Sequence, residues 1–186
     1  MKFCKNELRD ILISVVTITL AFYFLLAKMG NYHSFIAVFL GVGLGFVLHE
    51  LGHKFTAMHY GCVACYRAWT QGLVIALLFA VFTNFVFAAP GAVYIYKPNL
   101  TRREDGIISL AGPLTNLFIA FFFMFLFMGT NYMNLAYWIF KVNVFLGLFN
   151  MVPFGPLDGS KVFRWNTGVW GVVFLFLLGL NFFFPY

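Results

Sequence analysis

The apolar residues of this chain fall in long runs separated by short polar breaks, covering residues 11–27, 34–60, 73–93, 107–128, 135–151 and 168–184. Sustained runs of this kind, rather than an apolar stripe recurring every three or four positions, predict helices that span a bilayer. A helix needs roughly 20 residues to cross the hydrocarbon core, so the first, fifth and sixth runs lie near the short limit. The pattern predicts an all-α polytopic membrane protein with about six apolar segments, folded as a single domain over residues 1–186.

The third run breaks the pattern. Asn84 interrupts it, and Ala88-Ala89-Pro90-Gly91 ends its helical character. Val93, Tyr94, Ile95 and Tyr96 then read as an extended stretch. A helix followed by a re-entrant extended or β segment near residues 88–96 is the expectation. Non-helical backbone at membrane depth is tolerated only where protein or a wet cavity satisfies its polar groups. Residues 73–87 then make either a full transmembrane helix or half of a hairpin.

Composition agrees with a membrane protein. Hydrophobic residues are 62% of the chain and charged residues 10%, against about 25% charged in soluble domains. The basic excess, 12 Lys and Arg over 6 Asp and Glu, marks cytoplasmic loops in so apolar a chain, not a nucleic-acid partner. With the third run returning to its own side, all basic residues but Lys28 and Lys141 sort to one face of the membrane. The N-terminus and the end of the second run, with Lys54 and His59 approaching water or a polar cavity, are then cytoplasmic. No cleavable signal peptide is expected. Cys62-Val-Ala-Cys65 is an isolated CxxC that reads as two ordinary small residues, and the three cysteines predict no disulfide framework.

The second run carries the chemistry, in His49-Glu50-Leu51-Gly52-His53. On a helix this spacing puts two imidazoles one turn apart on one face. Together they can hold one Zn²⁺, with Glu50 placed to act as a base on water. Ionisable groups inside a bilayer cost free energy, so such a cluster points to function. A catalytic zinc takes a third protein ligand. Asp158 is the leading candidate, because Pro153, Gly155, Pro156 and Gly159 bend the chain around it. His33 and His59 are the other candidates, and a boundary-facing role suits both better. Asn116 and Asn150 are candidates for oxyanion binding or substrate positioning, with inter-helix hydrogen bonding the equal alternative. Ala89, Pro90 and Gly91 are candidates for pairing with an unwound substrate strand. Gly112, Pro113 and Gly159 are expected to shape backbone.

Three segments then carry a resemblance. His49 to Gly61, HELGHKFTAMHYG, resembles the zinc motif of the site-2 protease family of intramembrane metalloproteases. Leu157-Asp158-Gly159, with the preceding Asn150 and two prolines, resembles the family's second signature, whose aspartate is a zinc ligand. Ala111-Gly112-Pro113-Leu114-Thr115-Asn116 resembles its Gly-Pro-x-x-Asn segment. All three occur in the family's order. The chain looks like a minimal core, without a PDZ or CBS domain.

The resemblance implies one Zn²⁺ per chain on His49, His53 and Asp158, with Glu50 as catalytic base. It implies hydrolysis of peptide bonds within or near transmembrane segments of membrane-protein substrates, in the lipid bilayer. The alternative is a zinc-binding membrane protein without peptidase activity, a degenerate homologue or a metal transporter. Glu50 separates them, since a transport site needs no base between its ligands. Substrate, gating helices and oligomeric state are not encoded in these motifs.

Overall fold

The computed structural model of the chain describes residues 3–28, 30, 35–83 and 90–183. Helix α1 runs Glu7–Lys28, with Glu7 and Asp10 in its first turn and Lys28 in its last, the charge order its dipole favours. The next helical stretch has three parts. A short α2, Phe35–Val38, leads into a π-helical turn, Phe39–Gly43, and then α3, Leu44–His59. The Leu44 N–H donates to the Phe39 carbonyl, one residue further back than an α-helix allows. After Gly61, at φ 73°, the chain enters strand β1, Val63–Ala68. Helix α4, Thr70–Phe82, follows, and strand β2, Gly91–Tyr96, returns antiparallel to β1 with Tyr66 opposite Val93.

Helix α5, Arg102–Leu126, opens with a capping box between Thr101 and Glu104 and carries Pro113 inside it. Helices α6 (Met133–Asn150), α7 (Asp158–Trp165) and α8 (Thr167–Phe183) complete the described chain. Helices α3, α5 and α6 form its centre. Leu117, Phe140, Val144, Val162 and Leu177 bury together where α5 to α8 meet. Ile18, Val38, Val42 and Leu73 tie α1, the π-turn and α4. Ala57, Cys62, Ala64 and Ile108 pack beneath the sheet. The outer faces carry exposed apolar side chains such as Phe82, Phe118, Phe125 and Phe183. Bare phenylalanines in such number suit lipid rather than water.

Among the described residues, three helical stretches are long and apolar enough to cross a membrane: Glu7–Lys28, Phe35–His59 and Arg102–Leu126. This is a membrane protein, and mostly helical. The six expected segments are not all spans by this measure. The third run resolves into the 13-residue α4 and, past residues outside the described chain, β2. A helix of that length reaches only about 20 Å, short of a hydrocarbon core of about 30 Å. The fold is also not purely helical, because the extended β2 has a partner, β1, that the apolar runs did not mark.

Two long-range ties fix the N-terminus. Cys4 is joined to Cys65 by a disulfide with Cα atoms 5.9 Å apart, and Cys62 is a buried free thiol. The expectation that the cysteines stay unlinked is therefore corrected, and the CxxC does not close on itself. Lys54 does not approach water. It is wholly buried against Glu7.

Candidate metal centre

Helix α3 presents His49, Glu50 and His53 towards α5 and the start of α7. Asp158 is the first residue of α7, reached through the bend after α6. That bend is tight, since any Cβ at Gly159 would overlap the Met151 carbonyl. The result brings the three expected ligands together. His49 Nε2 and His53 Nε2 lie 3.2 and 3.1 Å from Asp158 Oδ2, and 3.0 Å from each other. All three residues are buried. His59 is exposed at the far end of α3, and His33 lies outside the described residues.

The donor set decides what this cluster can hold. His53 Nδ1 is 2.8 Å from the Ile108 carbonyl, which only accepts, so the ring proton sits on Nδ1. His49 Nδ1 is 2.6 Å from Asn116 Oδ1 and is protonated in the same way. Both Nε2 atoms therefore turn lone pairs towards each other and towards a carboxylate oxygen. With both rings neutral the three groups converge as acceptors, an arrangement that suits a bound cation. Their separations are within a few tenths of an ångström of the edge, about 3.3 Å, of a tetrahedron with zinc bonds of about 2.0–2.1 Å. The residues fit Zn²⁺, and the Nδ1 hydrogen bonds are the outer contacts that orient zinc-binding histidines.

Helix α5 reaches this cluster through a glycine. A Cβ on Gly112 would overlap His53 Nε2 and the Cε1 atoms of both histidines. Gly52 on α3 meets Ala111 and Thr115 in turn, the close small-residue contact common between membrane helices. Gly112→Ala is expected to cut bound zinc at least tenfold, on the scale of lost outer-shell support. Gly171→Ala, whose Cβ would meet nothing within 4 Å, is expected to keep it. Metal analysis of the purified proteins checks both.

Glu50 stands beside the ligands with Oε2 accepting from the Val93 N–H at 3.1 Å. Of the two candidate asparagines, Asn116 has both amide hydrogens committed, to Asn143 Oδ1 at 3.0 Å and Gly45 O at 3.4 Å. Its Oδ1 faces His49 Nδ1. Asn150 lines the cavity and donates once, to Leu146 O, among the described residues. The strand-pairing candidates also sort. Ala89 lies outside the described residues. Pro90 has no N–H, and its carbonyl already accepts from Ser14, Tyr66 and Trp69. Alternation along β2 instead turns the backbone of Gly91, Val93 and Ile95 away from β1. The Ile108 carbonyl and Val93 N–H were invisible in the sequence because backbone groups carry no residue signature.

A cavity of about 610 Å³ opens onto these groups, walled by Phe22, Phe46, Trp69, Phe145, Phe149 and Pro156. One similar protein matches this sequence along nearly the whole chain. A Methanocaldococcus jannaschii protein named "Putative zinc metalloprotease MJ0611" is 42% identical over 182 residues, covering 96% of this chain and 94% of that protein. The chain belongs to the site-2 protease family of zinc metalloproteases. Rip3 of Mycobacterium tuberculosis, designated in the same words, is 31% identical over 81% of this chain but only 39% of its own length. YwhC of Bacillus subtilis, likewise designated, is 27% identical over 64% of each chain. No protein-family profile and no solved structure matches. Zinc is the family's metal, and the His49, His53 and Asp158 group is positioned for it.

Proposed function

We propose that this site-2 protease relative is an intramembrane zinc endopeptidase, cutting peptide bonds within or near transmembrane segments of membrane proteins. It crosses the bilayer several times, with the N-terminus and the zinc-motif end of α3 towards the cytoplasm. The observation that carries the reading is the buried ligand cluster with Glu50 beside it, opening into an apolar cavity next to the edge of β2, whose Val93 N–H meets Glu50.

Bound zinc supplies a Lewis acid that polarises the scissile carbonyl and acidifies water. Glu50 removes a proton from the attacking water and returns it to the leaving amine as the C–N bond breaks. Asn150, which lines the cavity, serves as donor to the carbonyl oxygen as charge develops there. A spanning helix has its peptide groups bonded internally, so it must unwind before it is cut. The unwound stretch adds to the edge of β2 by backbone hydrogen bonds. The opposite edge, on β1, is already covered: Glu7 accepts from the Tyr66 N–H and Asp10 from the Ala68 N–H. Substrate is thereby directed to the edge that faces Glu50.

The test is reconstitution in liposomes with a panel of tagged single-span polypeptides. Wild type is expected to carry about one zinc per chain and to release fragments whose new ends lie in the apolar segment. Asp158→Ala is expected to lose both the zinc and the cleavage. Chelation should stop the reaction and added zinc restore it. Cleavage confined to soluble polypeptides, or full zinc occupancy in Asp158→Ala, would overturn the reading.

A further inference from the structure

The sequence motifs end the metal site at Asn116, but the hydrogen bonds continue past it. Asn143, on α6, is wholly buried. Its Nδ2 donates to Ile139 O at 2.9 Å and to Gly41 O, in the π-turn, at 3.1 Å. Both partners are backbone carbonyls, which accept only. The amide can therefore take one orientation, with Oδ1 facing Asn116. Asn116 must answer with its own NH₂, 3.0 Å away, and so turns Oδ1 to His49 Nδ1 at 2.6 Å. The orientation of each amide, usually an assignment, follows here from the fixed carbonyls at the end of the chain. Flipping either one would set amide hydrogens against amide hydrogens, or oxygens against oxygens.

Room is made for this arrangement. A Cβ at Gly45, one turn before His49, would overlap Asn143 Oδ1. Helix α3 can thus approach α6 closely only because a glycine stands there.

We infer that Asn143 is a positioning residue for the metal centre: through Asn116 it holds the proton of His49 on Nδ1 and so keeps the Nε2 lone pair turned to zinc. The inference rests on the metal-centre reading above. The carbonyls of the π-turn and of α6 set the direction of the relay, and His49 receives it. Neither asparagine touches substrate in this role.

The experiment is zinc affinity by chelator competition in detergent, with folding followed by size exclusion and melting. Asn116→Ala and Asn143→Ala are each expected to weaken zinc about tenfold or more, the scale of outer-shell losses. Because they act in series, the double variant should bind no worse than Asn116→Ala alone. Trp138→Phe removes another α6 hydrogen bond to the same region, Trp138 Nε1 to Ala37 O, outside the relay. It is expected to leave zinc affinity unchanged. Should Asn143→Ala fail to fold, Asn143→Asp keeps the shape without the amide hydrogens and is expected to weaken zinc similarly. Wild-type affinity in a folded Asn143 variant would overturn the inference. So would losses that multiply in the double variant, or an equal loss in Trp138→Phe. A folded wild type that takes up no zinc at all would instead overturn the metal-centre reading beneath it.

Discussion

Glu50→Gln is expected to lose peptide cleavage by about 10²–10⁴-fold, the usual contribution of a positioned base, while its zinc content stays that of wild type. The substitution separates two roles that the motif packs into five residues. Glutamine keeps the size of the side chain, and its carbonyl oxygen can still accept from the Val93 N–H. It cannot take a proton from water or return one to the departing amine. The ligand atoms belong to His49, His53 and Asp158, so the metal loses no partner. Fragment release and zinc content should be measured on the same reconstituted sample. Cleavage within threefold of wild type would remove Glu50 from the reaction. Zinc lost together with activity would make Glu50 a ligand, or a support of the ligands. A transport site makes the opposite forecast, because zinc movement would survive the change.

That separation was available from the sequence because the helical period is local. His49 and His53 share a face whatever the rest of the fold does. Asp158 is more than a hundred residues away, yet the prolines and glycines around it marked a bend, and the family's signatures marked its role. The extended stretch after Pro90 was also legible, from the Pro-Gly break and the alternation that follows it. The roles of Asn116 and Asn150 were not. Both are amides near helix interiors, and only the hydrogen bonds reaching them show that one faces His49 and the other the cavity. Strand β1 escaped notice because its six residues include Arg67 and two alanines, a weak signal beside long apolar runs. The third run was expected to divide into a helix and an extended return, and only the length of its helix was not legible in the run. An apolar run reports a tolerance for lipid or core, and 73–93 divides that tolerance between a short helix and a strand.

Lys54 was read as one of the basic markers of membrane orientation, and its burial against Glu7 leads to the largest stability effect expected in this fold. Glu7 and Lys54 have no solvent exposure. Lys54 Nζ lies 2.5 and 2.6 Å from the two carboxylate oxygens. Glu7 also accepts from the Cys4 N–H at 2.8 Å and the Tyr66 N–H at 3.0 Å, and the ammonium sits 4.5 Å from the centre of the Phe3 ring. One ion pair thus joins α1, β1 and the residue next to His53. Removing either partner strands the other charge away from water. Lys54→Met or Glu7→Gln alone is expected to destabilise the fold by about 3–5 kcal/mol. For a chain of this size that is a fall in Tm of about 6–20 °C. The double variant leaves no stranded charge, because replacing both members of a buried pair is often close to neutral. It is expected to recover most of the loss, and the cycle of four proteins isolates the coupling. Melting in detergent at fixed zinc checks it, since bound metal also stabilises the folded state. Single variants that melt within 2 °C of wild type would mean that the pair is hydrated in the membrane-bound protein. In that case β1 would be held to α1 chiefly by the Cys4–Cys65 link and the apolar contacts beneath the sheet.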